Sequence, residues 1–205
     1  MQTDTFEKLF VEELRDMYSA EKQMVKALPK LAKAANSPEL RAALQSHLDV
    51  TKEQVERLEE VFKDLGHSSS GKTCKGMAGI IEEGQSVIDK DYDEEVMDAG
   101  IIAAAQKAEH YEIASYGTLR AFAETRGDRR VAEILDEILR EEKDADQTLT
   151  RIAKSAINTR AEGGVRDTFV DGGTGDRFLD DEDDEERPRP STRHRPGNGS
   201  PRVGR

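Results

Sequence analysis

The sequence predicts an all-α fold, a four-helix bundle, and three observations support this prediction. Apolar residues recur every three or four positions along four long stretches, which is the spacing of one face of an α-helix. Charged residues make up 36 % of the chain and aromatic residues 5 %, a balance typical of helices with exposed outer faces. Glycine, asparagine and proline fall between these stretches, where helices are expected to end.

The first helix is predicted over residues 4–35, with Asp4 or Thr5 as its N-terminal cap. Its apolar stripe consists of Phe6, Phe10, Leu14, Met17, Met24, Val25 and Leu28. Glu21 lies on the same stripe, one turn from both Met17 and Met24. This helix therefore carries one carboxylate on the face that is expected to pack.

The second helix is predicted over residues 38–65, between a cap at Ser37 and a stop at Gly66. Its outer face carries Lys52, Glu53, Glu56, Arg57 and Glu60. Its apolar stripe contains two polar residues, His47 and Thr51. A Ser- and Gly-rich loop and a short amphipathic helix, over about residues 76–90, follow it.

The third helix is predicted over residues 93–126 and has two glutamates, Glu109 and Glu112, on its packing face. Buried carboxylates are costly unless something neutralises them. The fourth helix is predicted over residues 129–158, with Asp128 as its cap. Glu142 and Asp146 interrupt its apolar stripe, so all four helices carry polar residues on their packing faces.

The composition changes after residue 158. Glycine and proline accumulate, residues 180–186 form an unbroken acidic run, and an arginine-rich segment continues to Arg205. Such a segment cannot bury enough apolar surface to order itself. We therefore predict a helical bundle over residues 1–158 and a disordered tail over residues 159–205.

Loop lengths predict how the helices are connected. About two residues join the first helix to the second and the third to the fourth, so each pair should form an antiparallel hairpin. Some 25 residues separate the two hairpins, enough to run the length of a bundle. Two hairpins joined by one long crossover that carries a short helix is the ferritin-like arrangement.

Ferritin-like bundles draw metal ligands from polar positions on the inner faces of their helices. The corresponding candidates in this chain are Glu21, His47, Glu109, Glu112, Glu142 and Asp146. Carboxylate oxygens with an imidazole suit iron or manganese. A hydrogen-bonded polar layer, in which buried acids stay protonated, is the alternative interpretation. His47 is likewise open to two interpretations, a hydrogen-bonded core residue or a ligand.

The heights of these candidates along the bundle can be compared, because residues equidistant from a hairpin turn lie side by side. Reflection about the turn near residue 128 places Glu109 and Glu112 opposite Glu142 and Asp146. Reflection about the first turn places Glu21 opposite Thr51. His47 then lies about five residues away, or roughly 7 Å at 1.5 Å per residue. The second helix is therefore predicted to contribute the poorest ligands at the level of the site.

Several segments together resemble the YciE/YciF family (DUF892) of ferritin-like proteins associated with bacterial stress responses. They are Glu13–Gln23, Ala27–Leu31, His47–Leu48 with Thr51, Gln54 and Arg57–Leu58, Gly79–Gly84, Ala103–Leu119, and Glu141–Lys143 with Asp146. The resemblance covers roughly residues 5–157. It implies a ferritin-like bundle, a homodimer and metal binding. The Glu-x-x-His motif that rubrerythrin-type proteins carry on the second helix is absent, which leaves room for one ion instead of two.

The bulk properties exclude some partners. With a net charge of -12, the chain is a poor ligand for nucleic-acid backbones or anionic membranes. It has one cysteine, Cys74, no signal-like N-terminus, and no apolar run near the roughly 20 residues that span a bilayer. We expect a cytoplasmic protein without nucleic-acid or membrane partners. Cys74 is expected to be an inert thiol.

Three functions are compatible with the residues and the resemblance. The first is a mono- or dinuclear iron or manganese site that performs redox chemistry under stress, without an organic cofactor. The second is a non-catalytic, dimeric helical stress protein whose polar layer is structural and binds no metal. An iron-storage cage is a third and weaker option, because it would require a much larger assembly.

Overall fold

The computed structural model describes residues 5–163, and within that range the chain forms helices and no strand. The helices are α1 (Phe6–Ala34), α2 (Pro38–Asp64), α3 (Lys75–Ile88), α4 (Glu94–Arg126), α5 (Arg129–Ile152) and the short α6 (Asn158–Ala161). The predicted all-α fold is confirmed. None of the helices in this range combines the length and apolar composition needed to cross a bilayer.

The predicted signals mark the start of α1 and the end of α4, but not the start of α5. The Thr5 hydroxyl accepts a hydrogen bond from the Lys8 amide, and Gly127 ends α4 with a left-handed φ of 81°. Asp128 does not cap α5 with its side chain, which corrects the prediction. Its carboxylate accepts a hydrogen bond from Nε of Arg126 at 2.8 Å instead. An adjacent guanidinium gives a charge-assisted bond, which is stronger than one to a neutral amide.

The last predicted helix is not regular over its whole length. A π-helical turn, Ala153–Ile157, separates α5 from α6, whereas a single helix was predicted over residues 129–158. The predicted boundary at residue 158 falls at the start of α6. Most of the predicted tail, from residue 164 onward, lies outside the described residues, so its disorder stays a prediction.

The helices form two antiparallel hairpins, α1–α2 and α4–α5, and α3 packs against α1 and α4 in the crossover. At one end of the bundle, Ser37 at the start of α2 bonds to Asp98 near the start of α4. At the other end, His67 beyond α2 and Arg126 at the end of α4 both reach Glu7. Thus α2 and α4 run in the same direction, as the ferritin-like crossover requires.

The Asp98 side chain connects the two hairpins. It is buried, and its two carboxylate oxygens accept hydrogen bonds from the Asn36 and Ser37 amides, each at 2.7 Å. These amides lie at the α1–α2 turn and the start of α2, where a helix leaves its amides without internal partners. We call this contact the Asp98 clamp. It fixes the height of α4 relative to the α1–α2 hairpin.

The crossover helix lies very close to α4. A Cβ atom added to Gly100 would lie 2.7 Å from Cγ1 of Val87, so only glycine allows this approach. At the start of α3, Sγ of Cys74 accepts a hydrogen bond from the Met77 amide at 3.3 Å. Cys74 is buried and therefore shielded from reagents, in agreement with the expected inert thiol.

Candidate metal centre

Four glutamates lie in the interior of the bundle, where each is no more than 1 % exposed. Glu21 comes from α1, Glu109 and Glu112 from α4, and Glu142 from α5. The second helix contributes Gln54, which is fully buried, and His47, whose side chain is 11 % exposed. The helical spacing placed these residues on the apolar stripes or close to them, and the structure buries them there.

The imidazole of His47 lies among these carboxylates. Its Nε2 is 3.2 Å from Oε1 of Glu109 and 3.7 Å from Oε2 of Glu142. One potential ligand atom from each of His47, Glu109, Glu112 and Glu142 lies within 4.8 Å of all the others. This spread is close to twice a metal–ligand distance of about 2.2 Å, so these four groups can surround one cation.

Two neutral side chains orient the carboxylates of Glu21 and Glu142. The Tyr116 hydroxyl donates a hydrogen bond to Oε1 of Glu21 at 2.5 Å, and Nε2 of Gln54 donates to Oε1 of Glu142. The same Gln54 nitrogen donates to Glu141 at 3.1 Å, and NH1 of Arg57 donates to Glu141 at 2.9 Å. Arg57 and Glu141 thus support the centre from outside.

Each buried glutamate keeps a carboxylate oxygen without a hydrogen-bond donor. These oxygens are Oε2 of Glu21, Oε2 of Glu109, Oε1 of Glu112 and Oε2 of Glu142. A buried polar atom without a partner costs free energy, and such atoms are rare in folded proteins. Four of them in one place, beside an imidazole, fit a centre that binds a cation through oxygen and nitrogen donors.

Burial also changes the pKa values of these carboxylic acids. Burial raises the pKa of Glu21 to about 7, although the hydrogen bond from Tyr116 and the charge of His47 oppose the rise. Burial and the neighbouring carboxylates raise the pKa values of Glu112 and Glu142 well above the usual range. Without a bound cation, these acids therefore favour their protonated forms.

The pKa of His47 is raised as well, which favours its positively charged form. Burial of the ring favours the neutral form, but the carboxylates of Glu109, Glu21 and Glu141 together outweigh burial and raise the pKa of His47. The centre thus favours a positive charge at this position. A bound cation would supply that charge in place of the proton.

The position of His47 corrects the predicted height. Reflection about the hairpin turn placed it about five residues from the site, but α2 and α4 run in parallel from the Asp98 clamp. His47 lies ten residues after Ser37, and Glu109 lies eleven residues after Asp98. They are therefore level with each other. Counting residues from a hairpin turn gives relative heights only for the two helices of that hairpin. It gives no relative height for α2 and α4, which belong to different hairpins.

Asp146 does not join the centre, contrary to the prediction. Its carboxylate is 20 % exposed, accepts a hydrogen bond from Nε2 of Gln106 at 2.9 Å, and lies 3.3 Å from Nε2 of the exposed His110. The prediction used height along the helix, and height says nothing about rotation around its axis. At this height Asp146 faces the boundary between α4 and α5 instead of the bundle interior.

Sequence reasoning missed two supporting residues. Arg57 was assigned to the outer face of the second helix, and Glu141 was only part of a matching motif. Arg57 is partly buried because its guanidinium reaches across to Glu141 on α5. The pair is visible only when α2 and α5 are placed side by side. The one signal in the sequence was the position of Glu141 directly before Glu142.

A cleft of about 350 Å³ opens between α2 and α5 and reaches the centre. Two of the candidate ligands, His47 and Glu109, line it. The other lining residues are Ala43, Leu44, Ser46, Val50, Glu141, Asp144, Ala145, Thr148 and Leu149. The centre is therefore buried but accessible from one side of the bundle.

Comparison with known proteins gives a family and a fold. Residues 5–162 match the family profile described as "Domain of unknown function (DUF892)". The protein YciF of Escherichia coli K12 is 45 % identical over 163 residues, which cover 79 % of this chain and 98 % of that protein. The crystal structure of the E. coli stress protein YciF superimposes with a TM-score of 0.74, over 76 % of this chain and 99 % of that one.

A more distant structure shares the fold. The ferritin-like, diiron-carboxylate protein of Bacillus anthracis superimposes with a TM-score of 0.57 at 14 % identity, over 73 % of this chain and 99 % of that one. At this identity the comparison is evidence for the fold only. With the helix order and directions described above, it confirms the predicted ferritin-like bundle.

Proposed function

The chain belongs to the DUF892 family, and on this premise we propose that it is a ferritin-like protein that binds iron or manganese in the middle of its bundle. One observation carries the proposal. Four glutamates that are no more than 1 % exposed each keep an oxygen without a hydrogen-bond donor, beside the imidazole of His47. An uncompensated group of buried carboxylates would be strongly destabilising, and a divalent cation removes that cost.

We assign the four converging side chains, those of His47, Glu109, Glu112 and Glu142, as the primary ligands of one ion. Glu21 is held at the edge of this group by Tyr116. Its free oxygen makes it the ligand on which a second ion would depend. The second helix offers Gln54 at the place where a dinuclear centre would need a carboxylate, so the donor set favours a single ion.

Bound iron or manganese would supply redox chemistry toward dioxygen or peroxide. The protein contributes a site from which bulk water is largely excluded, and the Gln54 and Tyr116 hydrogen bonds keep two carboxylates in fixed orientations. YciF is described as a stress protein, and a centre that handles oxidants fits such a role. We therefore propose that this chain acts during oxidative or related stress.

The proposal is tested by metal analysis. Purified protein would be incubated anaerobically with iron(II), or separately with manganese(II), then desalted and analysed for metal by mass spectrometry. We expect about one ion per chain for the wild type. Glu109→Ala removes a ligand from the middle of the group, so we expect affinity to fall at least about tenfold and the metal to be lost on desalting.

The matched control is Glu133→Ala, which removes an exposed glutamate from α5 at a distance from the centre. It should retain the metal content of the wild type. A wild type that carries far less than one ion per chain, or a Glu109→Ala variant with unchanged content, would contradict the proposal.

The alternative function, a structural polar layer without metal, is favoured by the hydrogen bonds from Tyr116 and Gln54 and by the raised pKa of Glu21. A proton on one carboxylate could satisfy part of the layer. This alternative predicts that the double variant Glu109→Gln, Glu112→Gln melts at the same temperature as the wild type, with and without metal. The metal proposal predicts that only the wild type responds to metal.

A further inference from the structure

Both helices that form the walls of the cleft contribute small side chains to its lining. These are Ala43 and Ser46 on α2 and Ala145 and Thr148 on α5. Larger residues at these positions would fill the space, as they do elsewhere in a close-packed bundle. The small size of these residues therefore helps to keep the cleft open.

The inner end of the cleft contacts the metal centre. Glu109 lines the cleft, is 1 % exposed, and has an oxygen without a hydrogen-bond donor. His47 lines it as well and is the most exposed of the candidate ligands, at 11 %. Glu21, Glu112 and Glu142 do not line it. A cation that came through the cleft would meet Glu109 and His47 first.

The outer part of the cleft is acidic. Asp144 is exposed at its rim, and Glu141 lies in its wall. Arg57 and Gln54 already bind the Glu141 carboxylate, so its charge is largely compensated. Asp144 is therefore the carboxylate of the lining that is best placed to attract a cation from solution.

We propose that this cleft is the route by which a divalent cation reaches the buried centre. Asp144 attracts the hydrated cation to the opening, and the free oxygen of Glu109, with His47, receives it at the inner end. The inference rests on the proposed function, because it concerns how the same centre is loaded. It adds a kinetic role for Asp144, Ala43 and Ala145, none of which is a ligand.

The test measures the rate of metal uptake. Metal-free protein would be mixed with cobalt(II) chloride alone in a stopped-flow instrument, and binding followed by the visible absorption of cobalt. Ala145→Leu and Ala43→Leu narrow the cleft without removing a ligand. We expect each to slow uptake by about tenfold while the final number of bound ions stays the same. Ala42→Leu is the matched control, because Ala42 is exposed on the same helix and does not line the cleft.

A second pair of variants tests the charge at the opening. Asp144→Asn should slow uptake about threefold at low ionic strength, and the difference from wild type should shrink as salt is added. Glu133→Gln changes the net charge equally on an exposed part of α5 outside the cleft, and it should have no effect. This pair keeps the test decisive even if the bulkier side chains prevent folding.

The failure of the inference and the failure of the proposed function give different results. If the wild type binds cobalt but the cleft variants bind it as fast as Ala42→Leu does, the route is wrong and the metal centre stands. If Asp144→Asn and Glu133→Gln behave alike, the role of Asp144 is wrong. If the wild type binds no cobalt, the proposed function fails, and the inference fails with it.

Discussion

At the scale of single residues, some carboxylate oxygens of the centre accept a hydrogen bond and others have no donor. Glu21 and Glu142 each have one oxygen held by a neutral donor and one oxygen without a donor. A neutral donor orients a carboxylate without cancelling its charge, whereas an arginine would form an ion pair and compete with a metal. Arg57 does not pair with Glu142 but with Glu141, the preceding residue. This arrangement leaves the negative charge available to a cation.

The raised pKa values predict how the metal-free protein responds to pH. Glu21 has a pKa of about 7 in the folded state, against 4.5 for an ordinary glutamate, so the folded state holds the proton more tightly than the unfolded state does. Its stability contribution is fully present below about pH 4.5 and is lost as pH rises through about 7. We expect the free energy of unfolding to decrease by about 3 kcal/mol from pH 4.5 to pH 8 from this residue.

Urea unfolding in the presence of a chelator, followed by circular dichroism at pH 5 and pH 8, measures this change. Glu21→Gln removes one titrating group and keeps the hydrogen-bond acceptor for Tyr116, so the decrease in stability between the two pH values should become smaller. Glu112 and Glu142, whose pKa values are also raised, keep their own contributions in the same direction. His47 has a raised pKa as well and shifts the balance in the same direction. A metal-free wild type that becomes more stable between pH 5 and pH 8 would show that these acids are ionised in the folded state.

At the scale of helices, the register between the two hairpins decides which residues meet. Loop lengths predicted the register within each hairpin, so Glu142 was placed correctly opposite Glu109 and Glu112. The crossover between the hairpins is too long to fix a register, and the height of His47 was therefore wrong. The Asp98 clamp supplies this information through two backbone amides. Backbone amides leave no pattern in a sequence, so the clamp could not be predicted.

The clamp itself is testable. Asp98→Ala leaves the Asn36 and Ser37 amides without their acceptor, and we expect it to lower the free energy of unfolding by about 1–3 kcal/mol. Asp98→Asn retains one carbonyl acceptor and should lose less. Asp89→Ala serves as the control, because Asp89 is exposed and bonds only to Gln85 on its own helix among the contacts described. Equal unfolding midpoints for all three variants would show that the clamp does not stabilise the bundle.

At the scale of the whole molecule, helix number, order and connection could be predicted because they depend on periodicity and loop length. The irregular turn Ala153–Ile157 could not, because its residues are compatible with an ordinary helix. The four glutamates were identified because carboxylates on an apolar stripe are conspicuous. Asp146 also lies on an apolar stripe, but its side chain contacts Gln106 and His110 outside the centre. The direction in which a side chain leaves its helix depends on how the helices pack, which the sequence pattern does not show. The predicted homodimer stays a prediction.

Metal binding should stabilise the whole bundle, because the proposed ligands come from both hairpins. Manganese(II) at 100 times its dissociation constant should raise the free energy of unfolding by about 2.7 kcal/mol. For a domain of this size, that corresponds to a melting temperature higher by about 5–10 °C. Differential scanning calorimetry would measure it. Glu109→Ala should lose the shift and Glu133→Ala should keep it; an equal shift in all three would indicate binding to the acidic surface instead.

The Asp98 clamp also bears on the order of folding. Each hairpin can form from neighbouring segments, but the bond from Asn36 to Asp98 spans 62 residues and the bond from Tyr116 to Glu21 spans 95. Contacts between distant residues form late, because they require closure of long loops. The complete ligand set would therefore exist only after the hairpins have docked. We expect a bound ion to slow unfolding while leaving the folding rate nearly unchanged.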